Sequence, residues 1–563
     1  MKTKKNYILA FSVFGLILLF LFSGYIIGYH NFPPSQLLRK VEIKLMGHYL
    51  DRIQNPTSKP EYYESIFLRL DSREASLREH LTRNGRGGGL TSFGDAVLLL
   101  TYDGQIFAAR SADNIQKTGI SVPDNGFLAY KQAAESDQFS HLNHNFGLYR
   151  YNDILFYEAP GNRGLAISYT EFDSTENCYR NTVATLPVEP GTQSVEQLSA
   201  RPGDWDIIYR AQPCLPFKNI NNALEGGLAG GRIAFRAPST LYLGNGDYHW
   251  DGMYAPKAIA QDPGVDYGKI MSIDLQSRES RIIASGIRNP QGLALDNEGT
   301  LWEVEHGLRG GDELNRIEEG NNYGWPVETL GTQYSKLPIP GEQSPGRHSR
   351  FVKPIFSWIP SVAISNLTLT EGFHESWDGD LLMASLKSMS LFRIRIEENR
   401  VMFTERIEID ERIRYVHQHT DGRLVLWTDS SKLIFLTPHP YRDHFVTDFL
   451  DSKKYEPGLK KRLKITIDGC RQCHSIDPDN HEHAPSLAML FDAEIGSASY
   501  SDYSSALEAK KGTWNRTTLK AFLSDPETFA PGTTMPRPGI NDDTVMEGVI
   551  DFLEAASTNG TGL

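Results

Sequence analysis

Short apolar segments separated by turn residues extend from Leu90 to Pro438, and this pattern restricts the fold more than any other feature of the chain. Segments such as AVLLLTYDGQIFAAR and GLALDNEGTLWEVEHG place Asp-Gly or Asn-Glu-Gly turns between runs of β-branched and aromatic residues, which is typical of hairpins. About 350 residues of hairpins without intervening helical periods predict an all-β fold. A β-propeller, which repeats four-stranded sheets around a channel, fits best, and the repeat is too irregular to count its blades.

Residues 465–563 have a different, helical pattern. TWNRTTLKAFLSDP opens on a Thr/Asn capping signal and ends before Pro526, and DDTVMEGVIDFLEAAS has apolar residues at three- and four-residue spacing. We therefore predict a small all-α domain, joined to the β region at 89–438 by a charged linker at 439–464. Residues 30–88 contain YYESIFLRLDSREASLREHLTR and predict a stalk or helical lead-in, which the NGRGGG segment ends.

Cys470, Cys473 and His474 form a C-x-x-C-H motif, the attachment signature of a c-type haem. Two cysteines in one helical turn can add to both vinyl groups, and the adjacent imidazole then faces the iron. A zinc site is the alternative, but zinc needs two further ligands and no other cysteine lies nearby. His481 and His483 are close in sequence, in a segment typical of a solvated loop.

Met535 is the predicted second axial ligand of the haem iron. It lies in PGTTMPRPG, a segment rich in Pro and Gly that cannot be helical, whereas most methionines are core residues. A Met/His pair raises the iron potential and keeps the iron six-coordinate, which suits electron transfer rather than oxygen chemistry.

With these motifs, residues 469–557 resemble the class I cytochromes c, including the mitochondrial type. The matching segments are GCRQCHSI, APSLAMLF, YSDYSSAL, TWNRTTLKAFLSDPETFAPGTTMPRPGI and the final helix. The resemblance implies one covalent haem c with His474 and Met535 on the iron. It also implies that Pro485 supports His474, and that Trp514 lines the pocket and hydrogen-bonds a propionate.

The N-terminus indicates the compartment. Lys2, Lys4 and Lys5 precede an uncharged run from Tyr7 to Tyr29, which is long enough as a helix to cross ~30 Å of hydrocarbon. We predict that residues 1–29 form a cytoplasmic tip and a single transmembrane anchor in a bacterial inner membrane, with the rest in the periplasm. A cleaved signal peptide is the alternative, although no A-x-A-like site precedes the end of the run.

The remaining cysteines are compatible with an exported protein, and the net charge excludes one class of partner. Cys178 and Cys214 can form a disulfide in an oxidising compartment, or remain two buried thiols. The formal net charge of -13 argues against a nucleic-acid surface, because such a surface must neutralise phosphates with Lys and Arg.

Polar and basic residues gather in the second half of the β region. Arg288 and Asn289 precede EHG and GGDELN segments, whose glycines allow close approach of a ligand. Lys387 follows a predicted strand, and Arg412 and Arg414 alternate so that a strand places both on one face. Any one of them alone is typical of a surface salt bridge, but together they predict a site for a multiply anionic ligand.

From about Gly226 to Pro438 this region resembles the soluble quinoprotein glucose/sorbosone (aldose sugar) dehydrogenases, through the string RNPQG, EHG, GGDELN and NYGWP. The resemblance implies a six-bladed propeller that binds pyrroloquinoline quinone (PQQ) and calcium. It implies that the backbone carbonyls of Gly307 and Leu308 ligate calcium. The implied quinone contacts are Arg288, Asn289, Lys387, Arg412, Arg414 and Thr428.

One departure from that family affects catalysis. The family's base is a His that opens an H-x-G-G-R string, and Leu228 stands at that position in LAGGRI. A leucine cannot accept a proton, and general base catalysis typically contributes ~10²–10⁴-fold. Asp247, in LGNGD, matches the next family landmark, and His249 lies two residues further on as a candidate replacement.

Two functional hypotheses follow. In the first, an anchored periplasmic quinohaemoprotein oxidises a sugar or alcohol through PQQ, passes electrons to its own haem c, and then reduces an acceptor of the respiratory chain. In the second, the protein transfers electrons or binds a ligand, and its propeller is catalytically degenerate because Leu228 replaces the base.

Overall fold

The computed structural model describes residues 62–558 except for 67, 82–86, 137–145, 218–225, 254, 256, 342–344, 440–444, 477–483, 499 and 501. In this part of the chain, six largely antiparallel sheets follow one another around a central channel. The innermost strand of each sheet packs against the innermost strands of its two neighbours, so the ring is closed. The predicted propeller is therefore confirmed, with six blades.

The strands are numbered in chain order and grouped by blade. They are β1 (Tyr62–Glu64) and β2 (Arg69–Ser76) in blade six; β3 (Gly87–Phe93), β4 (Ala96–Thr101), β5 (Ile106–Ser111) and β6 (Asn114–Lys117) in blade one; β7 (Gly119–Ile120) outside the blades; β8 (Tyr151–Ala159), β9 (Asn162–Asp173) and β10 (Cys178–Pro187) in blade two; β11 (Ser199–Ala200), paired with β7; and β12 (Asp206–Arg210) and β13 (Leu215–Pro216) in blade two.

The later blades follow the same order. They contain β14 (Gly230–Arg236), β15 (Thr240–Asn245), β16 (Lys269–Asp274) and β17 (Ser280–Ser285) in blade three; β18 (Pro290–Leu295), β19 (Leu301–Glu305) and β20 (Asp312–Ile317) in blade four; β21 (Asn321–Asn322) in blade three; β22 (Phe356–Trp358) in blade four; β23 (Ile364–Leu369), β24 (Leu381–Ser385), β25 (Ser390–Glu397) and β26 (Arg400–Glu408) in blade five; and β27 (Ile413–Gln418), β28 (Leu424–Thr428) and β29 (Lys432–Pro438) in blade six.

Blade six is completed by part of the segment for which the sequence predicts a helical lead-in, and that prediction is wrong for the strands at Tyr62–Glu64 and Arg69–Ser76, whereas residues 30–61 lie outside the described residues. Strand β2 pairs antiparallel with β29, from Leu70 opposite Pro438 to Ser76 opposite Lys432. Leu70 is fully buried in the core of that blade. The open edge of β29 provides backbone partners and an apolar surface, and this tertiary pairing overrides the local helical preference. The glycines of NGRGGG do not end a helix, because Gly87 begins β3.

A buried arginine ties the blades together at the centre of the channel. The Arg232 side chain, in β14, is 1% exposed, and its guanidinium lies 4.5 Å from the ring centroid of Tyr415 in β27. Its three nitrogens donate to the backbone carbonyls of Gln291 at 2.7 Å and of Asn152 and Ser365 at 3.1 Å. These partners belong to blades four, two and five, so one side chain connects five of the six blades.

The C-terminal part is a compact helical domain, as predicted. After α1 (Phe127–Ala134), which packs beside blade two, the helices are α2 (Phe445–Ser452), α3 (Pro457–Cys470), α4 (Ser505–Glu508), α5 (Arg516–Ser524), α6 (Pro526–Phe529) and α7 (Asp543–Thr558). Val446 of α2 and Leu463 of α3 share a hydrophobic core with α5 and α7. Most of the predicted linker at 439–464 is therefore helical, because these apolar residues pack into the domain.

Two further predictions concern the compartment. Cys178 and Cys214 form a disulfide with Cα atoms 5.6 Å apart, which decides between the two alternatives for these cysteines. The predicted transmembrane segment at 7–29 lies outside the described residues, as do His481 and His483. Among the residues that are described, no helix has the length and apolar character needed to cross a membrane.

Candidate cofactor sites

The helical domain contains a cavity lined by all four predicted haem residues. The larger lobe has a volume of about 650 Å³, and a second lobe of about 310 Å³ extends into the apolar core. Cys470, Cys473, His474 and Met535 line both lobes. Two free thiols, an imidazole and a thioether around one apolar cavity fit a covalently attached haem with two axial ligands.

The end of helix α3 orients the C-x-x-C-H motif. The carbonyl of Cys470 accepts hydrogen bonds from the amides of Cys473, at 3.2 Å, and His474, at 3.1 Å, so the motif forms one tight turn. His474 Nδ1 lies 2.7 Å from the carbonyl oxygen of Pro485. A carbonyl can only accept, so Nδ1 carries the proton and Nε2 is left for the iron.

Burial shifts the pKa values of two residues of the haem site. Desolvation lowers the pKa of His474 below its usual value, which keeps the imidazole neutral and able to ligate a metal. Burial also raises the pKa of the Cys470 thiol. Trp514 is 7% exposed, lines the inner lobe and stacks against Phe529. Its hydrogen bond to a propionate stays a prediction.

The propeller residues that the sequence singles out lie at one end of the channel. In an antiparallel blade, the loop before the innermost strand and the loop between the second and third strands lie at the same end. Arg288 and Asn289 precede β18, and Arg412 precedes β27. Lys387 follows the second strand of blade five, and Thr428 ends the second strand of blade six. We call this end of the propeller the basic end.

Arg288 is the most buried of these basic residues, at 5% exposure. Its Nη1 donates to the carbonyls of His306 at 2.6 Å and Gly307 at 2.9 Å, and its guanidinium lies 5.2 Å from the ring centroid of Trp325. Its amide donates to Glu305 Oε2 at 2.6 Å. Within the described residues, the buried Nε atom has no hydrogen-bond partner, so the site retains a charged donor for an anionic ligand.

Arg412 and Arg414 meet on a carboxylate that sequence reasoning missed. Arg414 bonds both oxygens of Asp429, at 2.9 and 3.0 Å, and Arg412 Nε lies 3.1 Å from Oδ2. Asp429 directly follows Thr428, and only the turn residues in WTDSS indicate its loop position. Lys387 is exposed and donates to the carbonyl of Ser361 at 2.9 Å. The two arginines therefore share one face, as predicted, but Asp429 neutralises part of their charge.

Asn289 and Thr428 also lie at the basic end, but their surroundings give weaker evidence for a role in ligand binding. Asn289 is 7% exposed, and its Oδ1 accepts a 2.9 Å hydrogen bond from Gln291. Thr428 is fully buried, and its hydroxyl lies 2.8 Å from that of Ser430. Both side chains already have polar partners, so their contact with a quinone stays a prediction.

The implied calcium ligands fit a cation poorly in this arrangement. The carbonyl oxygen of Gly307 accepts from Arg288, so a guanidinium occupies the direction from which a cation would bind. Leu308 is 5% exposed and packs with Ala260 and Trp325. A calcium ion on the carbonyl oxygen of Gly307 would lie next to the guanidinium of Arg288, and the two positive charges would repel each other. Calcium binding here therefore stays a prediction, and we derive no step through it.

Asp247, Leu228 and His249 lie side by side where two loops of blade three meet. The amide of Tyr248 donates to the carbonyl of Leu228 at 3.1 Å. His249 Nε2 lies 3.1 Å from the position that a Cβ atom on Gly227 would occupy, so the imidazole covers the backbone next to Leu228. The His249 amide donates to Asp247 Oδ1 at 2.9 Å, and Asp247 Oδ2 accepts from Trp325 Nε1 at 2.7 Å.

The electrostatics of this corner are set by burial and by Arg288. Burial, and then the nearby carboxylate of Asp251, raise the pKa of Asp247. Burial and the charge of Arg288 lower the pKa of His249 to about 4. The imidazole is therefore neutral at neutral pH. Leu228 and His249 both have positive φ, at 55° and 64°, which is uncommon for bulky residues and is found at functional sites.

Fold and sites define a class of protein: a six-bladed β-propeller with a basic end, fused to a small domain of the c-type cytochrome kind. The family model described as glucose / sorbosone dehydrogenase matches residues 162–436, which begins before the Gly226 expected from the sequence. Aldose sugar dehydrogenase YliI of Escherichia coli (strain K12) is 31% identical over 249 residues, 40% of this chain and 62% of that relative. The alignments span 58% and 62% of two curated relatives of the propeller.

The cytochrome c of Stellaria longipes is 32% identical over 100 residues, 18% of this chain and 93% of that protein. The C-terminal part of the chain belongs to the cytochrome c family, and residues 162–436 match the glucose / sorbosone dehydrogenase model. Among solved structures, the soluble aldose sugar dehydrogenase (Asd) from Escherichia coli, in the apo-form, has a TM-score of 0.51 at 22% identity, covering 65% of this chain and 100% of that chain. That likeness shows the fold.

Proposed function

We propose that the protein oxidises the CH–OH group of a sugar with PQQ in its propeller and passes the electrons to its own haem c. The observation that carries this proposal is the coexistence, in one chain, of a basic propeller end, where the buried Nε of Arg288 has no hydrogen-bond partner among the described residues, and a cavity lined by the four haem residues. The aldose sugar dehydrogenase relative supports the substrate class. When bound, PQQ supplies a two-electron acceptor and haem c a one-electron acceptor.

The residues of the basic end would bind and orient an anionic cofactor. Arg288 presents a buried, charged donor, and its packing on Trp325 fixes the guanidinium plane. Arg414 is held by Asp429 in a bidentate pair, which reduces the ordering cost when it binds a carboxylate. Lys387 is exposed, and its ammonium, which donates to the carbonyl of Ser361, would exchange that bond for one to a ligand.

His249 is the residue of this chain best placed to take the substrate hydroxyl proton. It lies beside Leu228, the position where the family has its base, and it is neutral at neutral pH. Its low pKa makes it a weak base, because burial, and then the nearby charge of Arg288, disfavour its protonated form. Turnover with His249 should therefore be slower than with a less perturbed histidine.

We also infer that the protein is anchored in a bacterial inner membrane by residues 7–29, with both domains in the periplasm. The length and apolar character of that segment support an anchor, and the disulfide supports an oxidising compartment. The acceptor that reoxidises the haem would then be a component of the respiratory chain.

The test is haem reduction, followed by absorbance, in the purified holoprotein with added PQQ and calcium across a panel of sugars and alcohols. Reduction by a sugar only when PQQ is present supports the proposal. If PQQ fails to bind, the dehydrogenase function is wrong.

Leu228 favours a second candidate, a propeller that binds PQQ without turnover. Bound PQQ with no substrate-driven haem reduction would support this degenerate propeller. A Leu228→His variant that gained sugar oxidation would then show that only the base is missing.

A further inference from the structure

Lys510 connects two short helices of the haem domain. It lies two residues after the end of α4, and its Nζ donates a hydrogen bond to the backbone carbonyl of Phe529, the last residue of α6. The same ammonium lies 4.4 Å from the centroid of the Phe529 ring, which is within the range of a cation–π contact. One charged side chain therefore holds both the backbone and the ring of Phe529.

The ring of Phe529 supports a wall of the haem cavity. It stacks on Trp514, with the ring centroids 5.8 Å apart and an angle of 18° between the planes. Phe522 packs against both rings, at 5.2 Å from Trp514 and 5.4 Å from Phe529. Trp514 lines the inner lobe of the cavity, so the position of the Phe529 ring helps to fix the side chain that faces the cofactor.

The backbone of Phe529 leads into the loop that carries Met535. Helix α6 has only four residues, and so short a helix is not stable alone because its nucleation is costly. The last carbonyls of a helix have no partner within it, and Lys510 supplies one from another part of the chain. Further on, the amide of Thr533 donates to the carbonyl of Ala530 at 3.0 Å, and the amide of Met535 lies 3.4 Å from the hydroxyl of Thr533.

The segment after Met535 has fewer means of being fixed by its backbone. Pro536 and Pro538 line the larger lobe of the cavity, and neither has an amide hydrogen to donate. Backbone hydrogen bonds can therefore fix this loop more readily before Met535 than after it. The end of α6, which Lys510 holds, is the point at which the fixed part of the loop begins.

We propose that Lys510 is a positioning residue for the axial methionine of the haem iron. Through its charged hydrogen bond to Phe529, it fixes the start of the loop that presents Met535 and supports the Trp514 wall of the same cavity. This inference rests on the haem c of the proposed function. It adds a residue that lies outside the C-x-x-C-H motif and that acts through Phe529 rather than by touching the cofactor.

The test is a titration of the oxidised holoprotein with imidazole, followed by haem absorbance. Imidazole binds the iron after Met535 has left it, so its apparent affinity measures how firmly the loop holds that ligand. Lys510→Met keeps an unbranched stem but loses the charged donor, so the apparent affinity should rise about fivefold. The matched control is Lys511→Met, an exposed neighbour that removes the same charge and should change the affinity less than about twofold. Equal increases in both variants, or none in either, overturn the proposal.

A conservative variant and a stability measurement distinguish positioning from a purely structural role. Lys510→Arg should restore the wild-type imidazole affinity, because a guanidinium can donate to the same carbonyl and lie over the same ring. The free energy of unfolding is measured for each variant in urea by haem absorbance. A Lys510→Met variant that is less stable but has the wild-type imidazole affinity in its folded state overturns the proposal.

A milder variant covers the case in which Lys510→Met does not fold. Lys510→Gln keeps a donor without the charge, and the imidazole affinity should then rise about two- to threefold. A wild-type affinity in this variant overturns the charged role of Lys510.

These measurements need no substrate, so a holoprotein that oxidises no sugar contradicts the proposed function while the titration still decides the role of Lys510. A wild-type ferric haem without the far-red absorption band of methionine ligation overturns the inference directly, because no axial methionine would then be positioned.

Discussion

The haem site and the basic end differ in how their residues are brought together. Cys470, Cys473 and His474 are neighbours in the chain, and one turn at the end of α3 places them on a single cavity. The residues of the basic end come from loops of three blades, and several of them satisfy each other, as Arg414 and Asp429 do. Three of the four haem residues therefore come from one short segment, whereas the basic end is assembled from distant loops, and two of its arginines share the carboxylate of Asp429.

The largest effect is expected from variants that remove the haem site and leave the basic end of the propeller unchanged. Cys470→Ala with Cys473→Ala should abolish covalent haem, because both thioether bonds are lost, and the absorbance of the denatured protein should show no attached haem. The matched control is Cys178→Ser with Cys214→Ser, which removes the disulfide of blade two. Covalent haem that persists in the first variant would contradict the assignment of the site.

The next variant tests whether Arg232 stabilises the propeller that carries the basic end. Arg232→Met should lower the free energy of unfolding of the propeller by about 3–5 kcal/mol, because three buried carbonyls and Asp153 lose their cationic partner. Urea unfolding followed by tryptophan fluorescence measures this loss, and the haem absorbance should report an unchanged helical domain. Arg236→Met, on the same strand but exposed, should cost less than about 1 kcal/mol. Similar losses in both variants would show that Arg232 has no central role.

Arg232 also shows which parts of the structure the sequence could predict. Hairpin signals predicted the propeller, and a contiguous motif predicted the haem ligands, because both depend on neighbours in the chain. Strand β2 was missed because its partner, β29, lies more than three hundred residues away. Asp429 was missed as a partner of Arg414 for a different reason: only 15 residues separate them, but a carboxylate in a turn has no local signal for the guanidinium it meets. Long-range pairing is the information that a single sequence lacks.

A smaller effect tests the charge balance of the basic end. Arg414→Ala should weaken PQQ binding about 10- to 100-fold, because hydrogen bonds to charged groups contribute about 1.5–3 kcal/mol. The matched control is Arg395→Ala, which breaks a similar bidentate pair with Asp380 at the opposite end of blade five. Calorimetric titration of the holoprotein with PQQ separates the two variants. Equal affinities would remove Arg414 from the site.

The smallest expected effect is on how the stability of the propeller depends on pH. His417, in β27, is half-buried, and desolvation of its imidazole, followed by the charge of His419, lowers its pKa to about 4. In the unfolded chain a histidine binds a proton below a pH of about 6.5, whereas the folded protein resists doing so until near pH 4, so the unfolded state binds more protons in between. Stability should therefore fall as pH decreases through this window, by about 2 kcal/mol at pH 5 for this residue.

His417→Gln should remove that loss, because glutamine can keep a hydrogen bond to Ser92 and does not titrate in this range. The measurement is urea unfolding of wild type and variant at pH 7 and pH 5. His249, whose pKa is lowered to a similar value, should leave a residual loss in the variant, so the pH dependence should be reduced rather than abolished. An unchanged loss would mean that His417 is hydrated and protonated in the folded propeller. His249, at the basic end, would then be the buried histidine that accounts for the loss of stability at low pH.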